Sequence, residues 1–176
     1  MKKIFLFIAT ASLLAVAGCG NGTADGNANA DVPQGMVAAD LSAQGLAILV
    51  NAPDSSSGPL EIMENAQGGA DVKVGKNFQM TITEGAGDMT MMKSDITSDA
   101  VRKFIKYVAE EPSALVWEWQ IEGMEPEFHF YAIIKAGDKS FVVRDVEGEI
   151  FSEKAATDML NAAKSIRLKA PAKAES

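Results

Sequence analysis

Two side chains with distinctive chemistry occur once each in this 176-residue chain: the thiol of Cys19 and the imidazole of His129. A single cysteine excludes a disulfide within the chain, so in an oxidising compartment the fold would depend on its hydrophobic core alone. A single histidine excludes a zinc or iron centre that takes two imidazoles from one chain. The sequence also contains no Gly-x-Ser-x-Gly nucleophile motif and no phosphate-binding loop. No stretch of residues therefore commits the protein to a particular reaction.

Cys19 ends a segment that has the three zones of an export signal. Residues 1–3 carry two lysines, residues 4–17 form an apolar run of 14, and Gly18 is a small residue before the cysteine. The run is shorter than the roughly 20 apolar residues that a spanning helix needs. The four residues Val16-Ala17-Gly18-Cys19 resemble the lipobox of bacterial lipoproteins. This resemblance, which covers residues 1–19 only, implies cleavage between Gly18 and Cys19 and a diacylglycerol thioether on the Cys19 sulfur.

The same resemblance implies attachment to a bacterial membrane through lipidated Cys19. One acyl chain binds a membrane reversibly, whereas two or three chains, at about 0.8 kcal/mol for each buried methylene, hold a protein there stably. In lipoproteins of two-membrane bacteria, an aspartate after the cysteine commonly marks retention at the inner membrane. Gly20 stands at that position here, which favours the outer membrane, facing the periplasm.

Small polar residues near both ends of the chain predict one domain between flexible segments. Residues 19–39 are rich in Gly, Ala, Asn and Asp, and they predict a tether that extends on the order of 25 Å. Residues 169–176 predict a frayed tail. A single domain is therefore expected over residues 40–168.

The chain is acidic, with 24 Asp and Glu against 16 Lys and Arg and a net charge of −8 at pH 7. Loss of Lys2 and Lys3 with a cleaved signal would leave 14 basic residues and a net charge of −10. Such a surface repels nucleic acid and anionic lipid headgroups. Nucleic acid is therefore not an expected partner, and the expected one is a protein or a small molecule.

Apolar patterns within residues 40–168 predict an α+β domain with a largely antiparallel sheet. The two-residue alternation around Trp117 and around Phe130 is typical of half-buried strands, and the intervening Gly, Pro and Asp residues are typical of turns. Strands are predicted over Leu46–Val50, Leu60–Glu64, Val72–Val74, Phe78–Thr83, Leu115–Ile121, Phe128–Ile134 and Phe141–Val146.

Two helices are predicted to pack on one face of that sheet. One is expected over residues 98–110, and the other over residues 153–166 with Ser152 as its N-cap. The first follows from the i, i+3, i+4, i+7 spacing of Val101, Phe104, Ile105 and Val108. The order of hairpin strands, helix, three-strand meander and terminal helix is similar to the Mog1/PsbP-like fold. That resemblance is architectural and implies a binding or assembly factor more often than a catalyst.

Trp117, Trp119 and Tyr131 are the candidate partner surface, because large aromatic side chains supply binding area at low entropic cost. Trp117 and Trp119 also share the apolar face of their predicted strand, so packing beneath the helices is the competing interpretation. His129 lies in opposite phase to Phe128 and Phe130 and is predicted to sit on the more polar face.

The sequence favours a non-enzymatic binding or assembly domain, with no catalytic residue, cofactor or metal assigned. The first alternative is an envelope enzyme in which His129 and acidic residues converge; a pocket holding His129 with two or more carboxylates would favour it. The second is Cu(I) binding by thioethers of Met63, Met80 and residues 89–92, although methionine more often fills gaps in cores. The acidic segment 145–149 lacks the ligand spacing of a calcium loop and is predicted to be a solvated turn.

Overall fold

The computed structural model describes residues 32–170, which form an α+β domain with a largely antiparallel sheet and two helices, as predicted. Within that range the elements are β1 (Met36–Asp40), β2 (Ile48–Pro53), β3 (Leu60–Glu64), β4 (Ala70–Val74), β5 (Phe78–Glu84), α1 (Met89–Ser98), β6 (Lys103–Glu111), β7 (Ala114–Gln120), β8 (Glu127–Ala136), β9 (Lys139–Asp145), α2 (Glu153–Ala163) and β10 (Arg167–Leu168). All seven predicted strands are present, with ends displaced by a few residues.

The strands form two antiparallel sheets. A seven-stranded sheet has the order β3-β4-β5-β9-β8-β7-β6, and a three-stranded sheet has the order β1-β2-β10. The final strands of the large sheet, β6 to β9, form a continuous meander in which each strand pairs with the next. Neither helix within residues 32–170 has the length and apolar character to cross a membrane.

The main hydrophobic core lies between the large sheet and a layer made of α2 and the small sheet. Phe130 of β8, Ile48 of β2 and Met159 of α2 are all buried in this cluster. The α2 helix begins where predicted, with the Ser152 hydroxyl accepting a hydrogen bond from the Ala155 N–H. Its buried face is rich in alanine, so the helix backbone can lie close to the sheet.

The other helix, α1, packs on the opposite face of the large sheet, and the expectation that both helices share one face is wrong. Ile96 of α1 joins Leu115, Trp117 and Tyr131 in a second buried cluster. Successive residues of a strand point to opposite faces, so Leu115 and Trp117 lie across the sheet from Val116, which belongs to the main core. The aromatic face of β7 and β8 therefore has its own cover.

The helix predicted over residues 98–110 is also wrong, because residues 103–111 form β6 and pair with β7. Register shifts follow Phe104 and Tyr107, and each inserts one extra residue. The two rings consequently lie together, with centroids 4.8 Å apart, although residues three positions apart point to opposite faces of a regular strand. Two β-bulges thus convert the period of a strand into a spacing that imitates a helix.

The α1 helix begins earlier, within the methionine-rich segment, and its N-cap is Asp88. One Asp88 carboxylate oxygen accepts hydrogen bonds from the N–H groups of Thr90 and Met91, at 2.8 and 2.9 Å. Asp99, expected to lie at a helix start, instead follows the last turn of α1 and accepts hydrogen bonds from the N–H groups of Val101 and Arg102. That turn fixes the backbone at Arg102.

The domain is longer than predicted at both ends. Residues 36–39, assigned to the tether, lie in β1, which pairs with β2 along its length. Their sequence is Met-Val-Ala-Ala, and Ala39 is fully buried because the small sheet covers the main core. Lys169, assigned to the tail, donates its N–H to the Ala47 carbonyl and its ammonium to the Asp40 carboxylate at 2.6 Å.

Candidate ligand pocket around His129

The candidate site lies where β9 ends beside β8. Pairing between these strands stops at Tyr131 and Arg144, although β8 continues back to Glu127. At the next position the side chain of Asp145 takes over, since its Oδ1 accepts the N–H of Phe130 at 2.8 Å. A carboxylate therefore continues the hydrogen bonding that a backbone carbonyl would otherwise provide, and it is held at the edge of a notch in the sheet.

The second oxygen of Asp145 fixes His129. The Asp145 Oδ2 lies 2.7 Å from the His129 Nδ1, and the two side chains are only 8 and 12 % exposed. An ionised carboxylate can only accept, so Nδ1 carries a proton and the ring is held in one orientation. In the neutral imidazole, Nε2 is then the atom able to accept a proton or a hydrogen bond.

Two tryptophans flank the imidazole. The ring centroid of His129 lies 5.7 Å from that of Trp117 and 5.3 Å from that of Trp119. The Trp119 Nε1–H donates to the carbonyl of Ile96 at 2.9 Å, which ties the pocket wall to α1. Trp117 is 3 % exposed, and its buried Nε1 finds no hydrogen-bond partner among residues 32–170.

A buried carboxylate and a guanidinium complete the polar part of the site. Glu127 is 5 % exposed, and its Oε2 lies 3.5 Å from the Arg102 Nε and 3.7 Å from the His129 Nε2. Arg102 lies over the Trp119 ring with its Cζ 5.1 Å from the centroid. In the described part of the chain, neither the Arg102 Nε nor the His129 Nε2 makes a hydrogen bond.

These groups border a cavity of about 160 Å³. A cavity of about 150 Å³ lined by apolar side chains accommodates benzene, so the volume suits one small ring. The pocket is lined by Met92, Arg102, Trp117, Trp119, His129, Phe130, Arg144, Asp145, Glu147 and Gly148. Its mouth carries an ion pair between Arg144 and Glu147 at 3.8 Å, in which Glu147 is largely exposed.

The structure brings His129 together with the carboxylates of Asp145 and Glu147 at the pocket and with Glu127 beside it. This is the arrangement that the sequence-based alternative of an enzyme required. Asp145 does not belong to a solvated turn, as its segment was expected to, because it is buried and both its oxygens are engaged. Arg102 could not be assigned to the site from sequence, since its segment was taken for a helix.

The three aromatic residues predicted to form a partner surface, Trp117, Trp119 and Tyr131, are mostly buried. Trp117 and Tyr131 are buried in the second cluster, and Trp119 is partly buried against it, so the competing interpretation of core packing describes them better. Burial raises the pKa of the Tyr131 hydroxyl above its usual value near 10. The same hydroxyl lies so close to Gly87 that a Cβ there would be 2.4 Å from it. Trp117 and Trp119 line the pocket, and Tyr131 packs behind them, so the three do not form an exposed patch.

The methionines proposed as copper ligands are dispersed. Met80 is fully buried in the main core, Met89 and Met92 pack on the opposite face of the sheet, and Met63 is exposed on β3. Within residues 32–170 no group of three or more His, Cys, Asp or Glu side chains is arranged to hold a metal ion. Met63 and Met80 therefore do not converge with the methionines of α1.

The predicted signal, the cleavage site at Gly18 and Cys19, and most of the predicted tether lie outside the described residues. No family model, curated protein or solved structure matches the chain. The similarity of the domain to the Mog1/PsbP-like fold and of residues 1–19 to a lipoprotein signal therefore stay predictions.

Proposed function

We propose that this protein is a lipid-anchored protein of the bacterial envelope whose domain binds a small polar ligand in the pocket around His129. The lipobox-like segment ending at Cys19 supports the anchor. The pocket supports the binding role, because it combines aromatic walls with a few fixed polar groups, as small-molecule sites commonly do. The acidic composition supports a ligand other than nucleic acid.

The observation that carries the proposal is the set of three buried nitrogens without hydrogen-bond partners in residues 32–170: Trp117 Nε1, His129 Nε2 and Arg102 Nε. Leaving a buried polar group unpaired costs about 1–3 kcal/mol. The Trp117 Nε1 and the His129 Nε2 are costly for a fold to leave in this state unless something else pairs with them, and the Arg102 Nε has only its long contact to Glu127 at 3.5 Å. A bound molecule that supplies those hydrogen bonds would offset the cost.

Proton transfer is the second candidate function, and the fixed Asp145–His129 pair favours it. A carboxylate that orients Nδ1–H and leaves Nε2 facing a substrate is the arrangement of a general base. The residues that line the pocket include no serine, threonine, cysteine or tyrosine, so the pair has no neighbouring hydroxyl or thiol to activate. Its chemistry would be limited to moving a proton on a bound molecule or on water.

Ligand-observed NMR with a collection of small polar molecules tests binding in the full-length protein extracted in mild detergent. We expect some of these molecules to bind the wild type and to bind His129→Phe at least about tenfold more weakly, because the loss of one well-made hydrogen bond is worth about 1.4 kcal/mol. Lys154→Gln, which alters an exposed ion pair on α2, is the matched control. Equal binding to all three proteins, or none, would contradict the proposal.

The same samples separate binding from catalysis. A molecule that binds the wild type is incubated with it and analysed by mass spectrometry and NMR. A binding protein returns the molecule unchanged, whereas a proton-transfer enzyme exchanges a carbon-bound hydrogen for deuterium in D₂O or forms a product, and does so only while His129 is present.

The anchor is tested by Cys19→Ser. The unaltered protein should be labelled by an alkyne fatty acid and sediment with membranes, and the variant should lose the label and leave the membrane fraction or be mislocalised. Labelling that persists in the variant would overturn this part of the proposal without affecting the pocket.

A further inference from the structure

We infer that the ligand of the His129 pocket is a neutral hydroxylated molecule, a polyol or a single sugar ring, and not an anion or a cation. This inference rests on the proposed function, since it specifies the ligand class of the same pocket. It follows from three properties of the site: the pairing of its charges, the valences of its unpaired nitrogens, and the shape and character of its walls.

Four of the five charged side chains at the pocket form two ion pairs, and the fifth, Asp145, accepts two hydrogen bonds. The Arg102 guanidinium faces Glu127 at 3.5 Å, the Arg144 guanidinium faces Glu147 at 3.8 Å, and Asp145 is held by His129 and the Phe130 N–H. A charged ligand inserted at the Arg102–Glu127 pair would repel one member of the pair and leave buried charge without a partner, which costs several kcal/mol. A hydroxyl can instead stand between the two, accepting from the guanidinium and donating to the carboxylate.

The unpaired nitrogens are complementary to a ligand group that both accepts and donates a hydrogen bond. The Trp117 indole N–H can only donate, and the His129 Nε2 of the neutral tautomer can only accept, because Nδ1–H is committed to Asp145. A hydroxyl is the simplest uncharged group that satisfies both, accepting from Trp117 and donating to His129. A second hydroxyl can accept from the Arg102 N–H.

The walls suit a ring with an apolar face. Trp117 and Trp119 supply the aromatic surface, and the C–H face of a sugar or cyclic polyol packs against such rings while its hydroxyls point outward. The cavity of about 160 Å³ has room for one six-membered ring. The site therefore fits one ring unit.

Arg102 is the side chain that must move to admit this ring. Less than 1 Å² of each unpaired nitrogen is accessible in the structure, so the nitrogens are covered. The Arg102 side chain is 41 % exposed, and its contacts to Asp99 and Glu127 are long, at 3.6 and 3.5 Å. A long exposed side chain with loose contacts can change rotamer without a change of backbone, and a ligand hydroxyl that donates to the buried Glu127 replaces the contact that this carboxylate loses.

Three ring compounds of similar size test the inference on the full-length protein: myo-inositol, cyclohexanecarboxylate and cyclohexylammonium, with methyl glucoside as a second neutral probe. Trp117 and Trp119 are the only tryptophans in the chain, so their fluorescence and their indole ¹H–¹⁵N signals report the pocket directly. We expect a neutral probe to shift the Trp117 signal and to bind at least about tenfold more tightly than either charged ring. Trp117→Phe should weaken that binding by about five- to tenfold, the effect of one hydrogen bond, and Lys154→Gln should not.

Tighter binding of the carboxylate or the ammonium would overturn the neutral-ligand inference and leave the proposed binding function standing. Absence of any shift with all four probes would also overturn it, and the broader collection of polar molecules then decides the proposed function independently. Binding of a neutral probe with equal affinity in Trp117→Phe would show that the ring occupies another place, which contradicts the assignment as well.

Discussion

The contrasting roles of the two indole N–H groups give the sharpest test of the pocket. Trp117→Phe removes a buried N–H that has no partner in the described residues, and Trp119→Phe removes one that bonds to the Ile96 carbonyl at 2.9 Å. The substitutions are chemically identical and lie two residues apart on β7. Any difference between them therefore reports how each N–H is used.

The structure predicts different costs for the ligand-free protein. Trp117→Phe loses packing worth about 1–2 kcal/mol, since roughly 50 Å² of apolar area is removed at about 25 cal/mol per Å², but it also relieves an unpaired group that costs about 1–3 kcal/mol. The two effects nearly cancel. Trp119→Phe loses both packing and a hydrogen bond, and it leaves the buried Ile96 carbonyl unpaired, so its cost is about 2–4 kcal/mol.

Urea unfolding of the full-length proteins in mild detergent, followed by far-ultraviolet circular dichroism after removal of small molecules, measures both free energies of unfolding. We expect Trp119→Phe to be less stable than Trp117→Phe by about 2 kcal/mol. Equal destabilisation, or a greater loss in Trp117→Phe, would refute the reasoning, because it would mean that the Trp117 N–H already has a partner within the protein.

Three further predictions concern the surroundings of His129. Asp145→Asn should destabilise the fold by about 1–3 kcal/mol and move the ring proton of His129 from Nδ1 to Nε2, because an amide can donate to Nδ1. The ¹⁵N chemical shifts of the single imidazole report the tautomer, and an unchanged tautomer would contradict this prediction. Burial raises the pKa of Tyr131, so the contribution of this side chain to the free energy of unfolding is present below pH 10 and is lost as the pH rises through the folded-state pKa. Tyr131→Phe should therefore lose less stability at alkaline pH than the wild type, and an identical pH profile of stability would contradict this. Gly87→Ala places a Cβ 2.4 Å from the Tyr131 oxygen and should lower the free energy of unfolding by about 1–3 kcal/mol. In the control Gly85→Ala the new Cβ meets nothing within 4 Å, so equal melting temperatures for the two variants would contradict this packing.

Regular patterns were sufficient to predict most of the fold. The alternation through Trp117 and Phe130 identified β7 and β8, and Ser152 identified the start of α2, because in each case the local period matches the face that is buried. The same reasoning failed at β6, where bulges after Phe104 and Tyr107 change the period. It also missed β1, because the short run Met-Val-Ala-Ala does not alternate between apolar and polar residues, although the fold buries Ala39.

The pocket was beyond sequence reasoning for a different reason. His129 and Asp145 are 16 residues apart, and Arg102 comes from the loop before β6. His129 and Asp145 lie close together only because β9 is beside β8 and its last residue, Asp145, falls next to His129. The sequence identified His129 as the single imidazole, for which nearby carboxylates would favour an enzyme site. Which carboxylate lies beside it depends on strand register, and single-sequence patterns do not determine that register.

The most direct test of the central claim is a high-resolution crystal structure of the protein purified from its native membrane without exchange of small molecules. We expect a non-protein molecule in the pocket, with an oxygen within hydrogen-bond distance of both the Trp117 Nε1 and the His129 Nε2, and with Arg102 moved aside to admit it. A pocket that is dry or contains only water, with Arg102 still covering it, would contradict the claim that this domain holds a small polar ligand.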